Sequence, residues 1–252
     1  MARAFVHIGI WLAAPLAAAA AADQKILAPQ ESSQESSLPH DADLQKVKHE
    51  LVKAEIIPTV IDEFLPSLIL DVEFPSDHVA SLGNTLKVKN VQEEPTFTLT
   101  RPSELLAAAA PNLTYTITLT DPDAPSRDNP EWAEMCHFIA TGITLSADSD
   151  GSSSSSSSSV FTPSDLEDIM PWKAPGPPPK TWKHRYVFLL LAPANGTTDP
   201  LNLTMPGDRQ HWGTGKERHG VRDWAIDNGL TPVGKSLLDV CWNDPTKSRR
   251  FD

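Results

Sequence analysis

The segment "YTITLTDPDAPSR", residues 115–127, governs how the rest of the chain is read. Tyr115, Ile117 and Leu119 alternate with threonines, a period of two in residue types that favour strands. The run then meets two acids and two prolines between positions 121 and 125. Proline donates nothing to a ladder, and two carboxylates this close need water, cations or hydrogen-bond donors around them. A surface turn is the ordinary explanation of such an Asp-Pro cluster. A polar site at the end of a strand is the other.

Similar strand-like runs recur on both sides of it: "SLILDVEF", "TLKVK", "TFTLT", "HFIATGI", "HRYVFLLLA" and "SLLDVCW", separated by Pro, Gly and Asn clusters. Together they predict a mainly β domain of largely antiparallel strands. "RYVFLLL" is apolar on both faces, so it belongs in the middle of a sheet covered on both sides. Leu44, Val47, Leu51, Val52 and Ile56 fall at helical spacing, and Pro58 interrupts the pattern before it ends at Phe64. A later helix, "HGVRDWAIDNGL", ends at Asn228-Gly229. A Ser-rich insertion at 146–160, with eight consecutive serines at 152–159, is expected to be a solvated loop, since serines bury no apolar surface.

The 252 residues are 40% hydrophobic, enough for a substantial core. Residues 1–22 carry one basic residue, an apolar run too short to span a bilayer and then small residues, which reads as a signal peptide. Residues 23–43 are polar and aperiodic and read as a flexible leader, leaving 44–252 as the folded domain. Losing the signal with its Arg3 takes the 21 basic residues to 20 against 33 acidic ones, and the net charge from −12 to −13. Such a surface repels nucleic acid, and no later segment is long and apolar enough to predict a transmembrane span. Sequons at Asn112, Asn195 and Asn202 agree with a secreted, glycosylated protein. Two cysteines, Cys136 and Cys241, do not make a disulfide scaffold, and spacing alone leaves their pairing open.

Three segments carry polar residues that core strands do not ordinarily choose: Asp121 and Asp123 with Pro122 and Pro125; His137 heading "HFIA"; and "GPPPKTWKHRYVF" with His184 and Tyr186. His184 and Tyr186 are two apart on a predicted strand and so point to the same face. The blocks "YTITLTDPDAPSR", "HF" nine residues later, and "GPPP" followed by "HRYVFLL" resemble the signature of the phosphatidylethanolamine-binding protein family. The likeness runs from about Leu44 to Asp244, and "VGKSLLDVCWND" with the helical preface looks like its fungal carboxypeptidase-inhibitor branch.

The resemblance implies a large antiparallel sheet packed on a smaller one with a few peripheral helices. It also implies a pocket for phosphate-like anions or phospholipid head groups. By position, Asp121, Pro125, Trp132 and His137 match the first block's pocket residues, and Gly176, Pro177, His184 and Tyr186 match the second's. Two departures stand out. "KTWKHR" replaces the glycines common before the second histidine, and only ten residues follow Trp242, fewer than the C-terminal helix of several members needs.

Functionally, the resemblance implies a non-enzymatic binding protein, with inhibition of a serine carboxypeptidase as the alternative. The sequence holds no Gly-x-Ser-x-Gly elbow, His-Glu-x-x-His or phosphate loop, so neither catalysis nor a metal or other cofactor is expected. If His137 and His184 share a pocket, an ordinary histidine pKa of about 6.5 predicts anion affinity that rises as pH falls.

Overall fold

The computed structural model describes residues 39–81, 83–102, 113–145 and 156–241. In chain order these form α1 (Pro39–Lys53), β1 (Ile69–Phe74), β2 (His78–Ala80), β3 (Asn84–Lys87), β4 (Thr96–Pro102) and β5 (Thr114–Asp121). Then follow β6 (Met135–Thr144), β7 (Ser156–Phe161), β8 (Glu167–Met170), β9 (His184–Pro193), α2 (Val221–Asp227) and β10 (Leu230–Cys241). The strands make a four-stranded sheet, order β2-β1-β4-β7, and a six-stranded sheet, order β3-β10-β9-β5-β6-β8. Every pair is antiparallel except β3 with β10. This is the mainly β, two-sheet architecture that the resemblance implied.

Strand β9 shows why "RYVFLLL" is apolar throughout. Tyr186, Phe188 and Leu190 face the smaller sheet, in a core with Phe74, Phe97, Leu99 and Phe138. Phe97 meets Phe188 edge-on at 5.8 Å and stacks on Phe138 at 6.3 Å, geometries in which ring edges and faces attract. Val187, Leu189 and Leu191 point the other way, into a second core with Leu51, Ile56, Trp212 and Trp224. Phe188 is fully buried, so truncating it to alanine would cost about 3–5 kcal/mol.

The two sheets also meet through main chain. Ser67 and Leu68 both donate their N–H to the Val233 carbonyl, at 2.8 and 3.0 Å. At the adjacent β10 irregularity a Cβ on Gly234 would lie 2.8 Å from the Leu68 carbonyl oxygen. Only glycine permits that approach.

Helix α1 begins at Pro39, ahead of the expected Leu44, so the last residues of the predicted leader are helical. Leu51 is fully buried, whereas Val52 is 52% exposed, because neighbours 100° apart on a helix do not share the core-facing stripe. The serine insertion departs from expectation more sharply. Ser156–Ser159 open β7 and pair with β4, Ser158 opposite Thr100 with their hydroxyls 2.9 Å apart. A ladder is made by backbone groups, so an edge strand needs no apolar side chains when Val160 and Phe161 continue it. Residues 1–38, 146–155 and 242–252, together with Asn112, lie outside the described residues.

Deleting Ser156–Ser159 should therefore lower the thermal midpoint by several degrees, on the scale of about 1–2 kcal/mol in a domain this size. Removing 152–155 instead should change it little. Scanning calorimetry of the two deletions checks this, and equal midpoints would show that the serine strand contributes nothing.

Candidate functional site

Asp121 ends β5, where the β5–β6 register shifts between Leu119 and Thr120. Its carboxylate is 2% exposed and both oxygens are engaged. Oδ1 accepts the Asp123 N–H at 2.8 Å, closing the turn, and Oδ2 lies 2.9 Å from His184 Nδ1. The surface turn and the polar strand-end site, the two explanations of the Asp-Pro cluster, thus meet in one residue. His184 Nε2 is 3.0 Å from Thr181 Oγ1, which also lies 2.8 Å from the Pro178 carbonyl oxygen.

Tyr186, two residues along β9, stacks its ring near His184 at 6.4 Å and meets His137 edge-on at 5.1 Å. Its phenol oxygen accepts the Gly176 N–H at 3.2 Å. Burial, and then the charge on Asp121, hold the phenol pKa well above its usual value. His137 is fixed from β6. Its Nδ1 donates to the Lys173 carbonyl at 2.8 Å, and its own carbonyl accepts from Lys173 N–H and from Arg209.

Asp121, His137, Gly176, His184 and Tyr186 therefore come together. Pro177 is buried in the adjoining segment. Pro125 and Trp132 lie in the loop after Asp121, tied by the Trp132 N–H to the Ala124 carbonyl at 3.0 Å, and Trp132 is 38% exposed where Asp121 and the two histidines are buried. Asp123 faces elsewhere. It accepts the Arg185 backbone N–H at 2.8 Å and the guanidinium Nε at 2.9 Å. Arg185 sits between His184 and Tyr186 and so projects from the opposite face of β9, a placement that the strand period alone would have indicated. Thr181, next to His184 in the fold, carried no such signal.

The expected pair of titrating histidines does not arise. Burial pushes the His137 pKa down to about 4, with Asp121 only partly opposing it. Near neutral pH the ring carries one proton, on Nδ1 facing Lys173, so Nε2 is an acceptor. With the Asp121 carboxyl oxygens beside it, the cluster offers hydrogen-bond acceptors. That suits an ammonium better than an anion.

Residues 76–234 match the family described as Phosphatidylethanolamine-binding protein. The chain belongs to that family. Among members, it is 30% identical over 199 residues to the carboxypeptidase Y inhibitor of Saccharomyces cerevisiae, covering 74% of this chain and 90% of the relative. A solved carboxypeptidase Y inhibitor, complexed with its cognate proteinase, matches with a TM-score of 0.68 and 28% identity over 79% of this chain and 97% of that one. The phosphatidylethanolamine-binding protein of Plasmodium vivax shares the fold, with a TM-score of 0.57 and 17% identity over 77% of this chain and 97% of its own.

His137 also makes stability depend on pH in a definite direction. Its folded pKa lies below the unfolded value of about 6.5, so the unfolded chain binds more protons between pH 4 and 6.5. The contribution is full above pH 6.5 and is lost as pH falls, on the order of 3 kcal/mol across the window. Denaturant unfolding of the wild type and His137→Gln at pH 4.5 and 7 isolates it. The wild type's advantage should shrink in acid, and a constant difference would refute the assignment.

Proposed function

We propose that this family member is a non-enzymatic protein of the secretory pathway that inhibits a serine carboxypeptidase. The observation that carries the reading is the extent of the likeness to the inhibitor, 30% identity across 90% of its length, rather than a match confined to the pocket blocks. The site geometry agrees with a non-catalytic role. Thr181, His184 and Asp121 are ordered like a hydroxyl–imidazole–carboxylate triad, yet the Thr181 hydroxyl has the Pro178 carbonyl as a competing acceptor, and His184 is 1% exposed. The hydroxyl is therefore not dedicated to the imidazole as a nucleophile would be.

Passage through the secretory route rests on the signal-like residues 1–22 and the sequons. Asn195 and Asn202 are both exposed, so a glycan meets no packing there. Among the described residues no helix is long and apolar enough to cross a membrane.

A second reading concerns the buried cluster itself. It takes a head group, with Asp121 and His137 Nε2 receiving an ammonium while a phosphate stays toward the 176–183 loop. The acceptor character of the cluster at neutral pH favours phosphoethanolamine over inorganic phosphate.

The mature protein, residues 23–252, should cause a dose-dependent loss of carboxypeptidase Y activity, complete near equimolar ratio. Calorimetry at pH 7 should show phosphoethanolamine binding at least about tenfold tighter than phosphate, the scale of one charge-assisted bond. His184→Ala should weaken the head-group binding and leave inhibition intact. Unchanged peptidase activity at excess protein would refute the first reading, and equal affinity for the two ligands the second.

A further inference from the structure

A cavity of about 250 Å³ lies on the far side of the Asp-Pro turn from the Asp121 cluster, lined in part by Pro122 and Asp123. Three arginines, Arg127, Arg185 and Arg218, converge on it with Glu55 and Glu134. Two of the cations are committed, Arg127 to Glu55 at 2.8 Å and Arg185 to Asp123. Among the described residues the Arg218 guanidinium meets Glu217, at 3.5 Å with both side chains more than half exposed, a contact that holds it weakly. Its backbone is fixed, because the N–H donates to the Ala133 carbonyl at 2.6 Å.

Glu134 forms the inner wall and is 2% exposed. Oε2 receives two donors, the Thr120 hydroxyl at 3.0 Å and the Val221 N–H at 3.3 Å. Thr120 is oriented in turn by Trp212 Nε1–H at 3.0 Å. Space for the carboxyl exists because position 220 is glycine, where a Cβ would lie 2.7 Å from it. With two donors on Oε2, that oxygen plays the carbonyl part and the acid proton belongs on Oε1.

Burial favours this neutral form and raises the pKa to about 8, with Asp223 adding to the rise and Thr120, Val221 and Arg222 opposing it. The lining then sums to one net positive charge, three guanidiniums against Glu55 and Asp123, on a chain whose net charge is −12.

We propose that this cleft is a second binding site, distinct from the Asp121 cluster, and that it takes a carboxylate between the Oε1–H of Glu134 and the guanidinium of Arg218. A carboxylic acid facing a carboxylate makes a short, charge-assisted O–H···O bond, and Arg218 supplies the planar donors that such a ligand matches. The carboxylate comes from the C-terminus of a peptide or from a small free acid.

The probes are acetyl-Ala-Ala, its C-terminal amide and acetate, titrated calorimetrically into the full chain. The acid peptide should bind and the amide should not. Acetate binding as tightly as the peptide identifies a small acid as the ligand, and peptide binding alone identifies a C-terminus. Arg218→Ala, at an exposed position, should weaken binding at least about tenfold, while Lys183→Ala, which removes an exposed cation outside the cleft, should leave it unchanged.

The pH profile is the signature of the protonated acid. Affinity should hold from pH 5.5 to 7.5 and then decline toward tenfold per pH unit as Glu134 ionises, since a bound anion itself disfavours the carboxylate. Glu134→Gln keeps a donor in place of Oε1–H, so it should bind with a flat profile to pH 9.5. The site is refuted if the acid peptide does not bind, if the amide binds equally, if Arg218→Ala binds as well as the wild type, if Lys183→Ala abolishes binding, or if the wild-type profile is flat.

Discussion

Much of this structure hangs on the two oxygens of Asp121. Burying a carboxylate is costly unless its lone pairs are satisfied, and here each oxygen is given a different task. One draws the chain into the turn through the Asp123 N–H, and the other holds His184 at the head of β9. Since β5 pairs with both β6 and β9, the residue that ends it sets where three strand ends lie relative to one another. His137, Tyr186 and the Gly176 segment inherit their positions from that arrangement. The prolines on either side of Asp123 fit this scheme, because neither position has to contribute an N–H.

The same turn separates two polar environments. Asp121 belongs to the histidine and tyrosine cluster, while Asp123, two residues later, belongs with Arg185 and the arginine-lined cleft. Sequence reading recovered the first environment because "HRY" and "DPD" are unusual residues for strand ends. It passed over the second. Nothing in "EWAEMCHF" says that Glu134 is buried, since burial is decided by Gly220 and α2, far along the chain. The strand periods were legible because a half-buried strand must alternate, and β9 because a doubly covered one need not. Strand β7 was not legible, as its pairing uses backbone groups that every residue carries. Nor did histidine content predict protonation, which burial rather than composition controls.

The loop before the second histidine follows a related logic. Where the resemblance led to an expectation of glycine, Lys180 and Trp182 adopt left-handed backbone conformations with φ of 74° and 67°. Each costs roughly 1 kcal/mol relative to glycine. Lys183 turns away from the cluster, its ammonium donating to Thr85 at 2.8 Å, and Trp182 is 64% exposed. The loop thus brings Thr181 to His184 while Trp182 faces outward and Lys183 reaches Thr85.

Cys136 sits one residue before His137, fully buried and unpaired, and burial pushes its thiol up to about 12. At pH 7 it is held as the thiol, whereas the thiolate is the form that attacks disulfides and reacts with oxidants. The fold therefore makes this sulfur kinetically inert. Under oxidising conditions, mispairing through Cys136 would be confined to the interval before β6 is covered, so the rate of folding rather than the redox potential would limit it.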